Sequence, residues 1–326
     1  MQTNNKTGFG TWIKNHAYDV AAYIGLIITL ALFFIYSGDK LMYNLTTTLQ
    51  TAAPYVIIAL GSVFVYAMGN MDVSVGQQVG VYAILVILIS NRIGGIKGVV
   101  LGIAVILVLA VLCGAFNGAV AVWLGLPSIV TSLFLMFFFG GAQMLLMENL
   151  GNTTVSIEAV IKPSDRNLYT LMMVIMIIAV AVIVTYLFNY TKLGRYTKAI
   201  GANEVTTAQS GADLTKWKVI AYMVFGVTIA IGSFALLTRT NSAGQGTGSG
   251  YAMDIMVCLI LGGMPLSGGM ISKVRSALIG TFTYILLSND LTTMGVDTNI
   301  INFIRAMVFI VIVLLTCRKK DGILPR

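Results

Sequence analysis

Apolar runs recur along the chain, each close to one membrane thickness in length and each ended by a few polar or charged residues. Ten such runs stand at approximately 17–36, 46–68, 73–90, 98–122, 127–147, 169–189, 217–237, 252–268, 274–288 and 300–316. A hydrocarbon core about 30 Å thick is crossed by roughly 20 helical residues. Within it a helix satisfies its own backbone polar groups, so the pattern predicts an all-α polytopic membrane protein of about ten spans. Two places disturb the alternation. Gly69-Asn70-Met71-Asp72-Val73-Ser74-Val75-Gly76 leaves almost no room for a loop between the second and third runs, so it is either a tight turn or a helix broken at depth. Asn241-Ser242-Ala243-Gly244-Gln245-Gly246-Thr247-Gly248-Ser249-Gly250 is a glycine-rich joint leading to Asp254. Interruptions in corresponding places of two halves can mark an inverted repeat with a transport pathway at its interface, although the halves share no direct sequence identity.

Composition sharpens this picture. Of 326 residues, 57% are hydrophobic and 10% charged, against about 25% charged in ordinary soluble domains, which excludes a soluble globular protein. The formal charge of +8 fits membrane orientation better than nucleic-acid binding, because the basic residues lie in short connections. Lys6 and Lys14, then Lys192, Arg195, Lys198, Lys216 and Lys218, then Lys273 and Arg275, and finally Arg318, Lys319 and Lys320 all fall on one side of a ten-span chain. The positive-inside rule makes that side cytoplasmic, with both termini inside. This divides the chain into a cytoplasmic segment 1–16, a transmembrane domain 17–316 containing a cytoplasmic segment 192–216, and a cytoplasmic tail 317–326.

Enzyme chemistry finds little to work with. His16 is the sole histidine and Cys113, Cys258 and Cys317 are far apart, so neither a metal site nor a disulfide framework is expected. No G-x-x-x-x-G-K-[ST] occurs, and hence no P-loop. The pairs Gly76/Gly80, Gly98/Gly102 and Gly114/Gly118 place two bare positions one turn apart on a helix face, which favours close helix packing within the subunit. Asp72, Asp254 and Arg305 are the notable ionisable residues within or beside spans. Each is a functional candidate by its cost in the membrane, and each is also near enough to a helix end to serve as a cap, the commoner role. Coupled secondary transporters need several mid-span carboxylates, and their scarcity argues for an external energy source or an uncharged cargo. Between Gly201 and Gly211 a short segment has room for two helical turns, with Asn203 suited to cap its start.

Four stretches then carry a resemblance: Gly69 through Gly76, Leu126-Pro127-Ser128-Ile129-Val130-Thr131, Gly201-Ala202-Asn203-Glu204 through Ala208-Gln209-Ser210-Gly211, and Gly262-Gly263-Met264-Pro265-Leu266-Ser267-Gly268-Gly269. In this order, over residues 45 to 316, the chain resembles ribose-type permeases of ATP-binding-cassette importers. The resemblance implies a ten-span permease of a bacterial cytoplasmic membrane that pairs with an identical or paralogous second permease subunit. It further implies two cytoplasmic ATPase domains, which hold the ATP and magnesium, and an extracytoplasmic sugar-binding protein that delivers the cargo. It assigns Asn203, Glu204, Ala208, Ser210 and Gly211, with Gly201 at their head, to a segment that couples to the ATPase. No cofactor is expected in this chain itself.

The leading cargo is a neutral, ribose-like monosaccharide, with nucleosides or an autoinducer sugar as alternatives within the family. Asn70, Asp72, Ser74, Gln77, Asn117, Thr131, Ser132 and Asn241 are the candidates for lining or shaping the pathway. From other classes, a stand-alone secondary transporter or channel would need its coupling charges or selectivity ring in this chain. A membrane enzyme would need an acid/base or nucleophile cluster that the sequence does not offer.

Overall fold

The computed structural model describes residues 17–316. The segments 1–16 and 317–326, with His16, Cys317 and the terminal basic residues, lie outside them. Each of the ten apolar runs becomes a helix: α1 Ala17–Ser37, α2 Leu41–Ala67, α3 Val75–Ile93, α4 Gly95–Trp123, α5 Ser128–Leu150, α6 Arg166–Tyr190, α9 Leu214–Thr240, α10 Tyr251–Leu261, α11 Val274–Thr293 and α12 Thr298–Thr316. Two short helices, α7 Lys192–Ala202 and α8 Glu204–Gln209, intervene between α6 and α9. Two three-residue strands, β1 Thr154–Ser156 and β2 Ser242–Gly244, pair antiparallel with Thr154 opposite Gly244 and Ser156 opposite Ser242.

Among the described residues seven of the helices, α1 to α6 and α9, are long and apolar enough to cross a membrane. The expected eighth span, 252–268, is corrected: α10 has 11 residues, about 16 Å of helix at 1.5 Å per residue, roughly half a hydrocarbon core. It ends where Gly262 and Gly263 break the turn, and Gly262 packs so tightly on Ser276 that a Cβ there would overlap the Ser276 carbonyl. Of the segment 192–216, expected to be cytoplasmic, residues 214–216 belong to α9.

Burial separates a core from a lipid-facing shell. Of the apolar window of α2, 78% is buried, and 61% of those of α3 and α9, against 28% for α4, α5 and α6. The shell helices turn large apolar side chains such as Phe137, Phe138, Val182 and Ile183 outward, as a surface bathed in hydrocarbon requires. At the centre α2 and α9 cross through two bare positions, Gly61 against Thr228 and Gly232 against Ile58. The glycine pairs behave as packing faces within the subunit. Gly98 and Gly102 abut Ser90 and Val86 of α3, Gly114 and Gly118 abut Tyr222 and Val219 of α9, and Gly76 and Gly80 abut the carbonyls of Gly248 and Thr247.

The helix pairings repeat between halves. α2 with α11, α3 with α4, α3 with α9, α3 with α5 and α4 with α5 become α9 with α4, α10 with α11, α10 with α2, α10 with α12 and α11 with α12 when α2–α5 are exchanged for α9–α12. Five steps separate α2 from α9 in the order of membrane-length helices, so the two units run in opposite senses. This is the contact pattern of an inverted repeat, which the interrupted segments suggested.

Candidate functional site

Both interruptions are ordered, and each is built around polar groups drawn from several helices. After α2 ends, Gly69 turns the chain with φ near +73°, a conformation open to glycine at no steric cost. Residues 68–74 then form a joint rather than a loop. Asp72 is 4% exposed and its carboxylate gathers donors. Ser74 donates to Oδ1 through its backbone N at 2.8 Å and its Oγ at 2.5 Å, and Asn117 Nδ2 of α4 donates to Oδ2 at 2.8 Å. Thr131 Oγ1 of α5 donates to Asn117 Oδ1 at 2.9 Å. Gln78 Nε2 donates to Ser74 Oγ at 2.7 Å, and Tyr82 OH donates to Gln78 Oε1 at 3.0 Å. The joint's own backbone is held from α5, where Ser128 Oγ accepts from Met71 N and Ser132 Oγ from Val73 N, both at 3.2 Å.

Asp72 does not cap α3 at the headgroup level: the N-cap residue is Ser74, without a side-chain cap bond, and Asp72 accepts from Ser74 N inside the protein, at a helix interface. Six of the eight pathway candidates meet around this joint: Asn70, Asp72, Ser74, Asn117, Thr131 and Ser132. Asp72, Ser74, Asn117, Thr131 and Ser132 are buried, so they shape the joint, and open space lies elsewhere. Gln77 does face space, a cavity of about 220 Å³ bounded by Val73, Gly76, Met136 and Gly248–Gly250 among others. Asn241 is apart from them. It ends α9 in the left-handed conformation at φ 55°, and its carbonyl accepts from Ile157 N at 3.0 Å beside the strand pair.

The second interruption is not the flexible joint its glycines suggest. From β2, which pairs with the β1 segment whose Ser156 O and Glu158 N Asn91 holds, the chain turns back along α3 until Thr247 and Gly248 lie against Gly80 and Gly76. Gln143 of α5 holds it there, with Nε2 donating to Gly244 O at 2.6 Å and to Thr247 O at 3.3 Å, while Gly244 N donates to Thr247 Oγ1 at 2.8 Å. Glycine is required at 248 twice over: φ is +84°, and a Cβ would overlap the Gly76 carbonyl. The segment opens into α10, where Asp254 accepts from Tyr284 OH at 2.5 Å and Tyr55 OH at 3.4 Å. Tyr55 stacks on Tyr251 at 4.3 Å, and the Arg305 guanidinium lies 4.7 Å over the Tyr284 ring. Each repeat therefore holds one carboxylate near the joint between its first two helices, with a donor from its third helix: Asp72 with Asn117, Asp254 with Tyr284.

Beneath the first joint sits the short-helix segment. Asn203 Oδ1 accepts from Thr206 N at 3.1 Å and so caps α8, and Gly211 leaves it with φ +84°. Glu204, at the start of α8, pairs with Lys218 Nζ at 2.5 Å, while Ala208 and Ser210 lie on its exposed side. Gly201, the penultimate residue of α7, fits under the end of α2 and the glycine loop. A Cβ there would overlap Ala67 O and come within 2.7 Å of Gly269 N, and Gly269 N itself donates to Ala67 O at 2.8 Å. The end of the bundle that carries this contact carries Lys192, Arg195, Lys198, Lys216, Lys218, Lys273 and Arg275, against Glu204 and Asp213.

Gln78, Tyr82, Ser128, Gln143, Tyr55 and Tyr284 were absent from the sequence-based candidates. Their only signal is polarity within an apolar run, and Gln143 shows it best.

Comparison with known proteins places this arrangement. The family described as branched-chain amino acid transport system / permease component matches residues 44–313. The chain is 25% identical to the ribose import permease protein RbsC of Escherichia coli K12, over 98% of this chain and 100% of that protein. It is 26% identical to the autoinducer 2 import system permease protein LsrC of Photorhabdus laumondii, over 91% and 90%. It is likewise 26% identical to the galactose/methyl galactoside import permease protein MglC of Salmonella typhimurium, over 91% and 92%. No solved structure matches the chain.

Proposed function

The chain belongs to the family of branched-chain amino acid transport system / permease components, and from that premise we propose that it is the permease subunit of an ATP-binding-cassette importer for a neutral, ribose-like monosaccharide. The relatives are import permeases for ribose, autoinducer 2 and galactose or methyl galactoside, which supports a sugar as cargo. ATP and magnesium act on a separate cytoplasmic ATPase, and an extracytoplasmic binding protein delivers the sugar to a pair of permease subunits. The basic end of the bundle is cytoplasmic, as charge asymmetry across a bacterial inner membrane favours.

The observation that carries the mechanism is the seating of Gly201. α8 projects from the basic end with Val205 exposed, and behind it α7 presses on backbone atoms of α2 and of the loop that joins α10 to α11. A push on α8 is therefore delivered to both repeats at once. Through Ala67 it reaches the Asp72 joint, and through Gly269 it reaches the half-helix α10. Rigid neighbours that touch backbone to backbone transmit displacement, because interiors are close-packed and incompressible. Moving the two joints against each other would open the pathway past Gln77 and the 248–250 segment to one side and then the other. Gln77, exposed to the cavity and able to donate and accept, suits sugar hydroxyls.

The test is reconstitution. Purified chain alone in liposomes should give no concentrative ribose uptake, and addition of the cognate ATPase, binding protein and ATP should give it. Concentrative uptake by the chain alone would overturn the reading.

A further inference from the structure

α9 begins among the basic residues at one end of the bundle and runs for 27 residues, about 40 Å at 1.5 Å per residue, so Asn241 stands at the opposite end. There the chain reverses. Residues 242–250 turn back into the bundle and lead to α10, and Gly248, Ser249 and Gly250 wall the cavity of about 220 Å³ that Gln77 faces. The stretch therefore lies between that cavity and the end of the bundle away from the basic residues. Both of its ends suit a hinge: Asn241 at φ 55° and Gly250 at φ +87° hold the left-handed conformation, and segment motions are absorbed at a few such terminal residues.

Within itself the segment is self-supporting. Thr247 N donates to Gly244 O at 3.0 Å, Gly244 N to Thr247 Oγ1 at 2.8 Å, Ser249 N to Gly246 O at 3.1 Å and Tyr251 N to Gly248 O at 3.1 Å, so it can move as one piece and keep these bonds. Its attachments to the rest are few. β2 pairs with the three residues of β1, a two-stranded ladder too short to be stable alone, and Asn91 of α3 fixes β1 in turn. The other attachment is Gln143, whose Nε2 donates to both Gly244 O and Thr247 O. Among the described residues no other side chain from outside the segment bonds residues 243–250.

Gln143 holds the segment at a cost. It is 1% exposed, and its Oε1 is buried without a hydrogen-bond partner among the described residues. The amide cannot turn over to satisfy that oxygen, because Oε1 would then meet the two carbonyls that Nε2 now serves. A buried acceptor without a donor forfeits its hydration, and a Gln143 released from the segment into water recovers it. The same side chain stands close to Gln77: a Cβ at Gly140, three residues before Gln143 on α5, would lie 3.8 Å from the Gln77 amide.

We propose that residues 242–250 are the gate of the pathway at the end away from the basic residues, the side from which an importer takes its cargo, and that Gln143 is its latch. The proposal rests on the reading of the chain as an importer permease. Opening parts β2 from β1 and the Gly244 and Thr247 carbonyls from Gln143, and the segment swings on Asn241 and Gly250, so that Gln77 becomes reachable from that side. Gln143 acts through the segment and is a positioning residue. Its unpaired oxygen keeps the closed state from being permanent.

Two measurements test this. Ala243 is 2% exposed on β2, so a cysteine there reports the lifting of the segment. Ala243→Cys, in membrane vesicles with the extracytoplasmic face outward and without ATPase or sugar, should react slowly with the membrane-impermeant reagent methanethiosulfonate ethylsulfonate, and at least tenfold faster when Gln143→Met is added. Cys258, fully buried on α10, should stay unreacted in both. Equal rates at 243 overturn the latch. So does reaction of Cys258 in step with 243, because the substitution then loosens the whole bundle and not the segment.

The second measurement pins the gate. Ser156 and Ser242 are directly opposite, and the bond from Ile157 N to Asn241 O at 3.0 Å makes theirs a non-hydrogen-bonded pair. Such pairs have Cα atoms about 4.5 Å apart, within the range of roughly 4.4–6.8 Å that a disulfide spans. Ser156→Cys with Ser242→Cys should therefore close on mild oxidation. ATP-driven ribose uptake by the chain with its ATPase and binding protein should then fall at least tenfold and return on reduction with dithiothreitol, with identically oxidised wild type unaffected. A static strand pair would be indifferent to the bond, so undiminished uptake with the bond formed overturns the gate. Absence of uptake by the wild type with every partner present counts instead against the importer reading, and the labelling comparison still decides the latch.

Discussion

Replacing Asp72 tests whether the first joint is a hydrogen-bonded hinge pin or an ordinary turn. The carboxylate is acceptor for the backbone N and Oγ of Ser74 and for Asn117 Nδ2, all within 2.8 Å. Asp72→Leu leaves two of these, the Ser74 N–H and the Asn117 amide, as buried donors without partners, since the Ser74 hydroxyl can rotate away. At about 1–3 kcal/mol per orphaned buried donor, the loss is roughly 2–6 kcal/mol. Asp72→Asn is different in kind. Its Oδ1 still accepts from Ser74, and its new NH₂ clashes with the Asn117 NH₂ only until Asn117 flips. A flipped Asn117 presents its oxygen to residue 72 and its NH₂ to Thr131 Oγ1, which has a spare lone pair and can give its proton to Ser128 O, 3.0 Å away. The cost falls to about 1–2 kcal/mol, the difference between charge-assisted and neutral hydrogen bonds. The assay is the thermal unfolding midpoint in a fixed detergent, with ATP-driven uptake measured at matched membrane levels. At about 2 °C per kcal/mol for a chain of this size, the Leu variant should lose about 4–12 °C and the Asn variant about 2–4 °C. Asp72→Asn with Asn117→Leu should lie well below Asp72→Asn alone, because no flip is then available. A Leu variant within 2 °C of wild type, or equal losses in the Asn and Leu variants, would refute the acceptor role.

Gly201→Leu should fold with a penalty of about 1–3 kcal/mol from overpacking against Ala67 and Gly269; ATPase turnover by the full complex should persist while uptake falls at least tenfold, and normal uptake would remove the lever. Glu204→Lys exchanges one exposed ion pair for a like-charge contact with Lys218, a stability change of under about 1 kcal/mol, so its effect should appear in stimulation of the partner ATPase by cargo and not in the melting profile. Gln143→Leu removes the side-chain donor to the Gly244 and Thr247 carbonyls, leaving Gly244 O only its turn bond from Thr247 N, and amide hydrogen exchange across 242–250 should rise at least tenfold; unchanged protection would show that the segment does not depend on α5.

The positions of the apolar runs were readable because apolar length is a local property of the chain, but among the described residues seven of the ten expected spans became helices long and apolar enough to cross a membrane. The α8 cap was readable for the same reason: Asn203 acts on Thr206, three residues away. Asn117 and Thr131 were recognised as polar residues in apolar helices, but their convergence on Asp72 depends on the contact of α4 with α3 and α5, which no spacing encodes. Gln143 escaped because its partners are backbone carbonyls a hundred residues downstream. The glycine-rich segment misled for a physical reason: the absence of side chains reads as freedom in a solvated chain, and here it permits Gly248 to lie against Gly76. Asn241 ends α9 in the left-handed conformation, apart from the other seven candidates.

The half-length of α10 bears on the order in which the protein is made. Eleven residues are too few to partition into a bilayer on their own, and the run of turns before them, residues 245–250, would carry into oil the peptide groups that those turns leave unpaired. Every group that receives this stretch, Gly76, Gly80 and Gln143, precedes it in the chain and has already left the ribosome when it emerges. The first repeat thus serves as an internal chaperone for the second, with a groove prepared before its occupant is synthesised. The reverse order of synthesis, as in a circular permutant beginning at α9, would present the half-helix to lipid before its receiving wall exists.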